Sequence, residues 1–373
     1  MKVNFCEPNL EANEKEAVME CLDSGWLTMG NKVATLEKDF AGLVEARKIA
    51  IAVDSCTSAL QLCIEAHCLS GKAIAVTPIT FAASANVIEL TGNFPLFIDV
   101  DSSGMMDVNS PRLEEADAII AVHYAGDVLN VEKLAEFGVP VIEDAAEAHF
   151  ARYASGKFVG SGNNLTCFSF YPTKIIAGAE GGLITGQDDE DNSYIRRKRL
   201  HGLSSGAESR YVSRSSTAFP TVQFPGYKMN MTDISAAIIL EQLKRRGTLL
   251  SKRWDVTQRY YHAMCDIESK DKHTRIKLRP AVSYGYSVPY LYAILVDNQY
   301  DFVHFMRERE IYCGVHFTSL GEHLYYNEAY DIDCPNAKEY GEHCVSLPVS
   351  ATMRTEQIDF VIASLHEYCE VKK

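Results

Sequence analysis

Seven short apolar runs punctuate the first half of the chain: KIAIAV (48–53), AIAVTP (73–78), PLFIDV (95–100), DAIIAVHY (117–124), PVIEDA (140–145), TCFSFY (166–171) and GGLITG (181–186). Helix-length spacers separate most of the early ones. Continuous apolar strands with helical spacers predict a mainly parallel sheet, covered on both faces. Ligands bind such sheets at the carboxyl ends of the strands, so polar residues there draw attention first. Ahead of the strands, apolar periodicity predicts a helix from Leu10 to Ser24, closed by Gly25, and a second over 32–43. After Gly186 the texture changes. Residues 203–225 hold several Ser, Thr and Gly and read as a long loop. Residues 232–246 predict a helix with Asp233 near its start and cations at its end, followed by another over 249–266. The remainder mixes strands, such as SVPYLYAILVD, with helices over 301–310, 336–344 and 354–369. The expected organisation is a large α/β domain with the N-terminal segment, 1–247, and a smaller α+β domain, 248–373.

Composition narrows the functional classes. Hydrophobic residues are 47% and charged residues 23% of 373, an ordinary globular balance. A net charge of -14 argues against nucleic acid as a partner, because phosphate backbones reward clustered Lys and Arg. It leaves room for a local small-anion site built from backbone N–H groups. Cysteines number 11, an odd count with no C-x-x-C pair, which points to reduced thiols in a cytoplasmic protein and to no metal site. The N-terminus turns acidic where a signal peptide would be apolar, and no run approaches the roughly 20 apolar residues of a membrane span. No membrane association is expected.

Four features stand at predicted strand ends. In VDSCTSALQL (53–62) a strand runs into a helix through a polar turn. Its free N–H groups and the hydroxyls of Ser55, Thr57 and Ser58 suit a phosphate, or simply cap the helix. Asp144 closes an apolar strand, as a cap or as partner to a cation. Phe81 follows a strand and a turn, as core or as a stacking plate. In FSFYPTKIIAGAEGG (168–182), a single lysine, Lys174, follows a buried-looking strand five residues after Ser169. A lysine there is costly without a partner or a covalent task. Together the four supply a phosphate cradle, a carboxylate for a ring nitrogen, an aromatic plate and a Schiff-base lysine. These are the parts of a pyridoxal phosphate enzyme.

These motifs, with SGWLTMGNKVATLEKDFA (24–41), VHYAG (122–126), GYKMNMTDISAAIILEQL (226–243) and GVHF (314–317), resemble the DegT/DnrJ/EryC1 family of nucleotide-sugar aminotransferases nearly end to end. The resemblance implies fold-type I architecture. It implies that Lys174 carries pyridoxal 5'-phosphate and shuttles a proton, with pyridoxamine phosphate formed midway, and that Asp144 faces the pyridine nitrogen. It assigns Thr57, Ser58 and Ser169 to the cofactor phosphate, and Phe81 to the ring face. Glu147 falls near the ring hydroxyl, where relatives usually carry Gln or His. Lys228 and Asn230 stand where the neighbouring subunit of a homodimer reaches the phosphate. Trp26, Thr28, Gly30, His123, Tyr124 and His316 are expected around the sugar nucleotide. The GYK-x-N-x-TDI wording is closest to the branch that aminates C4 of keto sugars with L-glutamate, releasing 2-oxoglutarate. A TDP-linked 4-keto-6-deoxy-glucose is the first expected substrate, with UDP-linked 4-keto sugars or C3 amination as alternatives. A regulatory or binding protein that kept the fold and lost the chemistry is the alternative of a different class, opposed by the retained Lys174, Asp144 and phosphate turn.

Overall fold

Every one of the seven apolar runs contributes a strand to one sheet. The computed structural model describes residues 1–46, 50–186, 189–204, 220–270, 274–281 and 284–371. Lys48 and Ile49 of the first run, and residues 205–219 of the expected loop, lie outside them. The strands are β1 (Ile51–Val53), β2 (Ala73–Val76), β3 (Phe94–Phe97), β4 (Ala118–Val122), β5 (Val141–Asp144), β6 (Leu165–Ser169) and β7 (Gly182–Thr185). Their order is β1-β7-β6-β5-β4-β2-β3, parallel except where β7 runs antiparallel between β1 and β6. Most of these strands are buried along their whole length, as apolar runs require when helices cover both faces.

The helices that matter for the site follow from local signals. Helix α1 (Ala12–Ser24) starts two residues later than expected because Glu11 and Glu14 form a capping box, and it ends at Gly25 in the left-handed region (φ 70°). Helix α2 (Asn31–Leu43) follows. Ser55 caps α3 (Cys56–Ala66), accepting the Ser58 N–H, and α4 (Ala83–Leu90) links β2 to β3. Helix α5 (Val131–Leu134) is a single turn, α6 (Asp189–Lys198) ends in a basic run, and Thr232 caps α7 (Asp233–Lys244), which packs against α1 and α2.

A second, antiparallel sheet comprises β8 (Ile276–Leu278), β9 (Tyr292–Val296) and β10 (Cys344–Leu347), with β9 central. Its core gathers Val256, Tyr260 and Met264 of α8 (Arg246–Lys270), Phe302 and Met306 of α9 (Gln299–Glu308), and Val361 and Leu365 of α12 (Thr355–Val371). Helices α10 (Leu324–Ala329) and α11 (Pro335–His343) complete this half. We place the division between the two units at the start of α8. The chain crosses it twice: Val3 is buried in the second core, while Tyr290 and Tyr340 belong to the first. Among the described residues no helix is long and apolar enough to cross a membrane, and no group of three or more His, Cys, Asp or Glu could hold a metal ion.

Candidate active site

The pleat of β5 decides which carboxylate meets the cleft. Side chains alternate across a sheet, so Glu143 and Asp144 point to opposite faces. Asp144 is buried, with Oδ2 taking the Ser84 hydroxyl (2.7 Å) and Oδ1 taking the Ala146 N–H (3.1 Å). Cys56, at the start of α3, brings its thiol to 4.0 Å from Oδ1. Ser84 lies on the first turn of α4 and is steadied by Thr80 at 3.0 Å. Phe81, three residues before it, is 66% exposed, a large ring left facing outward beside the site.

Lys174 sits in a closed loop. Phe170 N–H donates to the Gly181 carbonyl and Gly178 N–H to the Phe170 carbonyl, and Lys174 N–H reaches the Tyr171 carbonyl. Its ammonium donates to the Tyr290 hydroxyl (3.0 Å) and lies 3.6 Å from Glu147 Oε1. Burial opposes the charge on Lys174, but Tyr290, Glu147 and Asp144 outweigh it and hold the pKa above the ordinary lysine range. Burial likewise pushes the Glu147 carboxyl up, against the pull of Lys174 and of the Ala125 N–H, which donates to Oε2 at 2.7 Å.

The phosphate-like corner is built by register. Val53 and Ser169 both pair with Gly182, one on each side of β7, so Ser169 lies across from the turn that enters α3. Ser55 Oγ bridges the N–H and hydroxyl of Ser58, Thr57 is exposed on the first turn, and Ser169 Oγ accepts the Tyr171 N–H (3.3 Å). A Cβ on residue 182 would stand 2.3 Å from the Ser55 carbonyl oxygen, so only glycine lets this turn close over β7. Asn230 pairs with Val53, and Met229 takes the Asp54 N–H (2.8 Å), so the 228–230 segment lies beside the same corner. Asn230 is buried; Lys228 is exposed and donates to Asn230 Oδ1. An amine, a carboxylate whose charge reaches it and a hydroxyl-lined helix start fit pyridoxal phosphate.

The residues expected around the sugar divide. Thr28 and Gly30 are fixed by Asp233, whose carboxylate accepts N–H groups of Gly30 (2.8 Å), Lys32 (3.2 Å) and Val33 (3.0 Å) at the start of α2, and whose own N–H reaches the Thr28 carbonyl. A Cβ at Gly30 would collide with the half-buried Trp26 ring. His316 stacks on Phe5 (4.9 Å between centroids) and pairs Nδ1 with Ser346 Oγ (3.1 Å). Burial and the nearby Lys174 charge push its imidazole down to about 4, so it is neutral at pH 7.

His123 and Tyr124 are corrections. His123 shares the Glu143 face, is fully buried, pairs Nε2 with Glu143 (2.8 Å) and takes the Leu129 N–H on Nδ1 (3.1 Å). Tyr124 is also buried; its hydroxyl donates to the His316 carbonyl and meets Tyr340. Both hold the wall and neither side chain lines the cleft. Sequence reasoning missed Ser84, Tyr290, Ala125 and Asp233 as parts of the site. The Asp233 position beside a cap was visible as a helix start; nothing local marked Tyr290, which lies 116 residues from Lys174.

Comparison with known proteins identifies the family. The model of the DegT/DnrJ/EryC1/StrS aminotransferase family matches residues 8–366. The spore coat polysaccharide biosynthesis protein SpsC of Bacillus subtilis is 35% identical, over 96% of this chain and 95% of its own length. The pyridoxal phosphate form of the sugar aminotransferase Spr1654 of Streptococcus pneumoniae superposes with a TM-score of 0.88, at 26% identity over 100% of this chain and 99% of that one. Helicobacter pylori PseC, an aminotransferase involved in pseudoaminic acid biosynthesis, superposes with a TM-score of 0.87, at 25% identity over the full length of both. The chain belongs to the DegT/DnrJ/EryC1/StrS family and is a pyridoxal-phosphate-dependent sugar aminotransferase.

Proposed function

We propose that the enzyme transfers an amino group from L-glutamate to the C4 keto carbon of a nucleotide-diphosphate sugar, with TDP-4-keto-6-deoxy-D-glucose as first candidate. The product would serve surface polysaccharide or amino-sugar synthesis, a reading supported by what SpsC and PseC are named for. The observation that carries the reaction class is the Lys174 amine, held 3.0 Å from Tyr290 and 3.6 Å from Glu147, within the field of Asp144. The C4 preference rests on the GYKMNMTDI wording at 226–234.

Bound pyridoxal phosphate supplies a protonated ring that draws electrons from the bond being broken. Asp144 keeps the proton on the ring nitrogen; a carboxylate within ~4–6 Å moves a pKa by about 1–3 units, each worth about 1.4 kcal/mol. Lys174, once it has given up its own proton, would take the proton from the amino donor's α-carbon and would work in reverse on the keto sugar. Ser58, Thr57, Ser169 and the first-turn N–H groups of α3 hold the phosphate. Phe81 would cover one ring face, and Glu147 would stand on the ring hydroxyl side. In a homodimer with shared sites, Lys228, the exposed member of the 228/230 pair, would reach a neighbouring phosphate as a point charge. The neutral His316, with Trp26, Thr28 and Gly30, faces the nucleotide sugar, in a cytoplasmic enzyme.

The test is an amination assay with glutamate against TDP- and UDP-linked 4-keto sugars and a 3-keto sugar. Turnover is expected with a 4-keto substrate, and Lys174→Ala should abolish it. Preferential amination of the 3-keto sugar overturns the C4 assignment. Wild-type turnover by Lys174→Ala overturns the mechanism.

A further inference from the structure

Three pieces of chain from distant parts of the sequence converge on the Lys174 amine, and two devices fix all three. The first device is the Ala125–Gly126 turn. Ala125 N–H holds Glu147, while the Ala125 carbonyl takes Leu291 N–H (3.3 Å) and the Gly126 carbonyl takes Val288 N–H (3.0 Å). Ala125 adopts φ 61°, a left-handed conformation that a non-glycine residue keeps only when its surroundings enforce it. A Cβ at Gly126 would stand 2.2 Å from the Val288 carbonyl oxygen, so the approach of the two segments is close. The turn therefore fixes Glu147 by one N–H, and the backbone on both sides of Tyr290 by two carbonyls.

The second device is Arg253 of α8, itself buried. One terminal nitrogen donates to the carbonyls of Tyr290 (3.2 Å) and Val349 (3.2 Å), and the other to the Thr173 carbonyl (3.4 Å). Thr173 immediately precedes Lys174. One guanidinium thus grips the chain beside the lysine and the chain of the tyrosine whose hydroxyl meets it. The Tyr290 side chain is buried, and its hydroxyl is the shortest contact of the amine.

We propose that Tyr290 is a positioning residue for Lys174: its hydroxyl accepts one hydrogen of the amine and so fixes the direction in which the amine faces the reacting carbon. The inference rests on Lys174 being the reacting amine, but one arm of its test needs no cofactor. Hydrogen bonds to a charged group favour the charged form, so removing this acceptor must release the proton more readily.

The experiment compares wild type, Tyr290→Phe and, as a control that removes a hydroxyl two residues away, Tyr292→Phe. In cofactor-free protein, trace labelling of Lys174 by acetic anhydride is followed by peptide mass spectrometry from pH 7 to 10. In cofactor-loaded enzyme, kcat and both KM values are measured. Tyr290→Phe is expected to label about tenfold faster at a given pH, one pKa unit's worth. Its kcat should fall at least tenfold with both KM values within about threefold, while Tyr292→Phe matches wild type. A labelling profile for Tyr290→Phe superimposable on wild type overturns the proposal, and so does an equal change in Tyr292→Phe. If Lys174 labels as predicted but Lys174→Ala retains turnover, the aminotransferase mechanism fails while the contact stands. A melting temperature within a few degrees of wild type certifies the fold, and Arg253→Lys, which loosens the clamp but keeps both side chains of the pair, should shift the labelling in the same direction.

Discussion

Glu143 and Asp144 are neighbours in the chain, both carboxylates and both almost fully buried, at 1% and 6% exposure. We assign one to structure and the other to chemistry, and burial does not separate them. The partners do. Glu143 takes donors from His123 (2.8 Å), Tyr153 (2.7 Å) and Asn164 (2.8 Å), none of which we place in the reaction. Because His123 Nδ1 accepts a backbone N–H, its proton sits on Nε2 and points at Glu143. Asp144 instead has a small hydroxyl, one N–H and a thiol for company, and it contributes to the field at Lys174. A strand's alternation has built an anchor on one face and a reactive wall on the other. A buried carboxylate tied only to other fixed core groups serves stability, and one whose field reaches a titratable amine serves chemistry.

The largest effect should come from Asp144→Asn. Losing the carboxylate's hold on the ring proton, about 1–3 pKa units at 1.4 kcal/mol each, should lower kcat by about ten- to a thousandfold and leave the melting temperature within a few degrees. Glu143→Gln should do the reverse. Donors reach both carboxylate oxygens, and an amide has only one oxygen to offer them: with it toward His123 and Tyr153, the NH2 meets the Asn164 donor. Chemical denaturation should show a loss of about 3 kcal/mol, with kcat of the folded fraction unchanged. If Glu143→Gln costs as much kcat as Asp144→Asn, the division between the faces is wrong.

How much of this was legible in the chain follows from range. The seven strands were readable because each is a continuous apolar run, and the sheet class followed from their spacing. Lys174, Asp144, Ser58 and Phe81 drew attention because strand ends carry the ligand site in this class. The face of His123 was not read, although the register supplies it: Ala121 pairs with Glu143, and His123, two residues on, shares that face. Tyr290 lay beyond any local signal. It sits in an apolar run that reads as strand, and its hydroxyl reaches Lys174 only because Arg253 and the Ala125–Gly126 turn bring two units together. Residues that act through side chains on their own strand end are visible in sequence; those delivered by packing are not.

The segment leaving β5 gives a pH test of intermediate size. His149 is fully buried among Phe40, Phe168 and Phe170, with no hydrogen-bond partner for either nitrogen among the described residues. Burial, aided by the Lys174 charge, pushes it from its ordinary 6.5 down to about 3. Between those values only the unfolded chain binds the proton. The stabilisation is therefore complete above about 6.5 and is lost as pH falls toward 3. His316, at about 4, acts in the same sense. His149→Phe should remove about 2 kcal/mol of the stability lost between pH 7 and pH 5, leaving the His316 share. Urea denaturation at the two pH values measures it, and an unchanged slope would mean that His149 is not the buried neutral group described.

The smallest effect probes the Glu143 anchor from its edge. Tyr153 donates to Glu143 Oε2 and accepts the Gly160 N–H at 3.2 Å, and burial together with the Glu143 charge raises its own pKa far above the ordinary range. Tyr153→Phe removes one of three donors and leaves His123 and Asn164 in place. A net loss of about 1–2 kcal/mol is expected, since a hydrogen bond to a charged group is lost but the carboxylate keeps two others. Catalysis should not change, because the hydroxyl lies on the far face of the sheet from Lys174. A double substitution with Glu143→Gln should cost less than the sum of the two, because the Tyr153 hydrogen bond has already lost its charged acceptor once residue 143 is an amide. Strict additivity would mean that the two side chains do not share the oxygen, and the anchor would then rest on His123 and Asn164 alone.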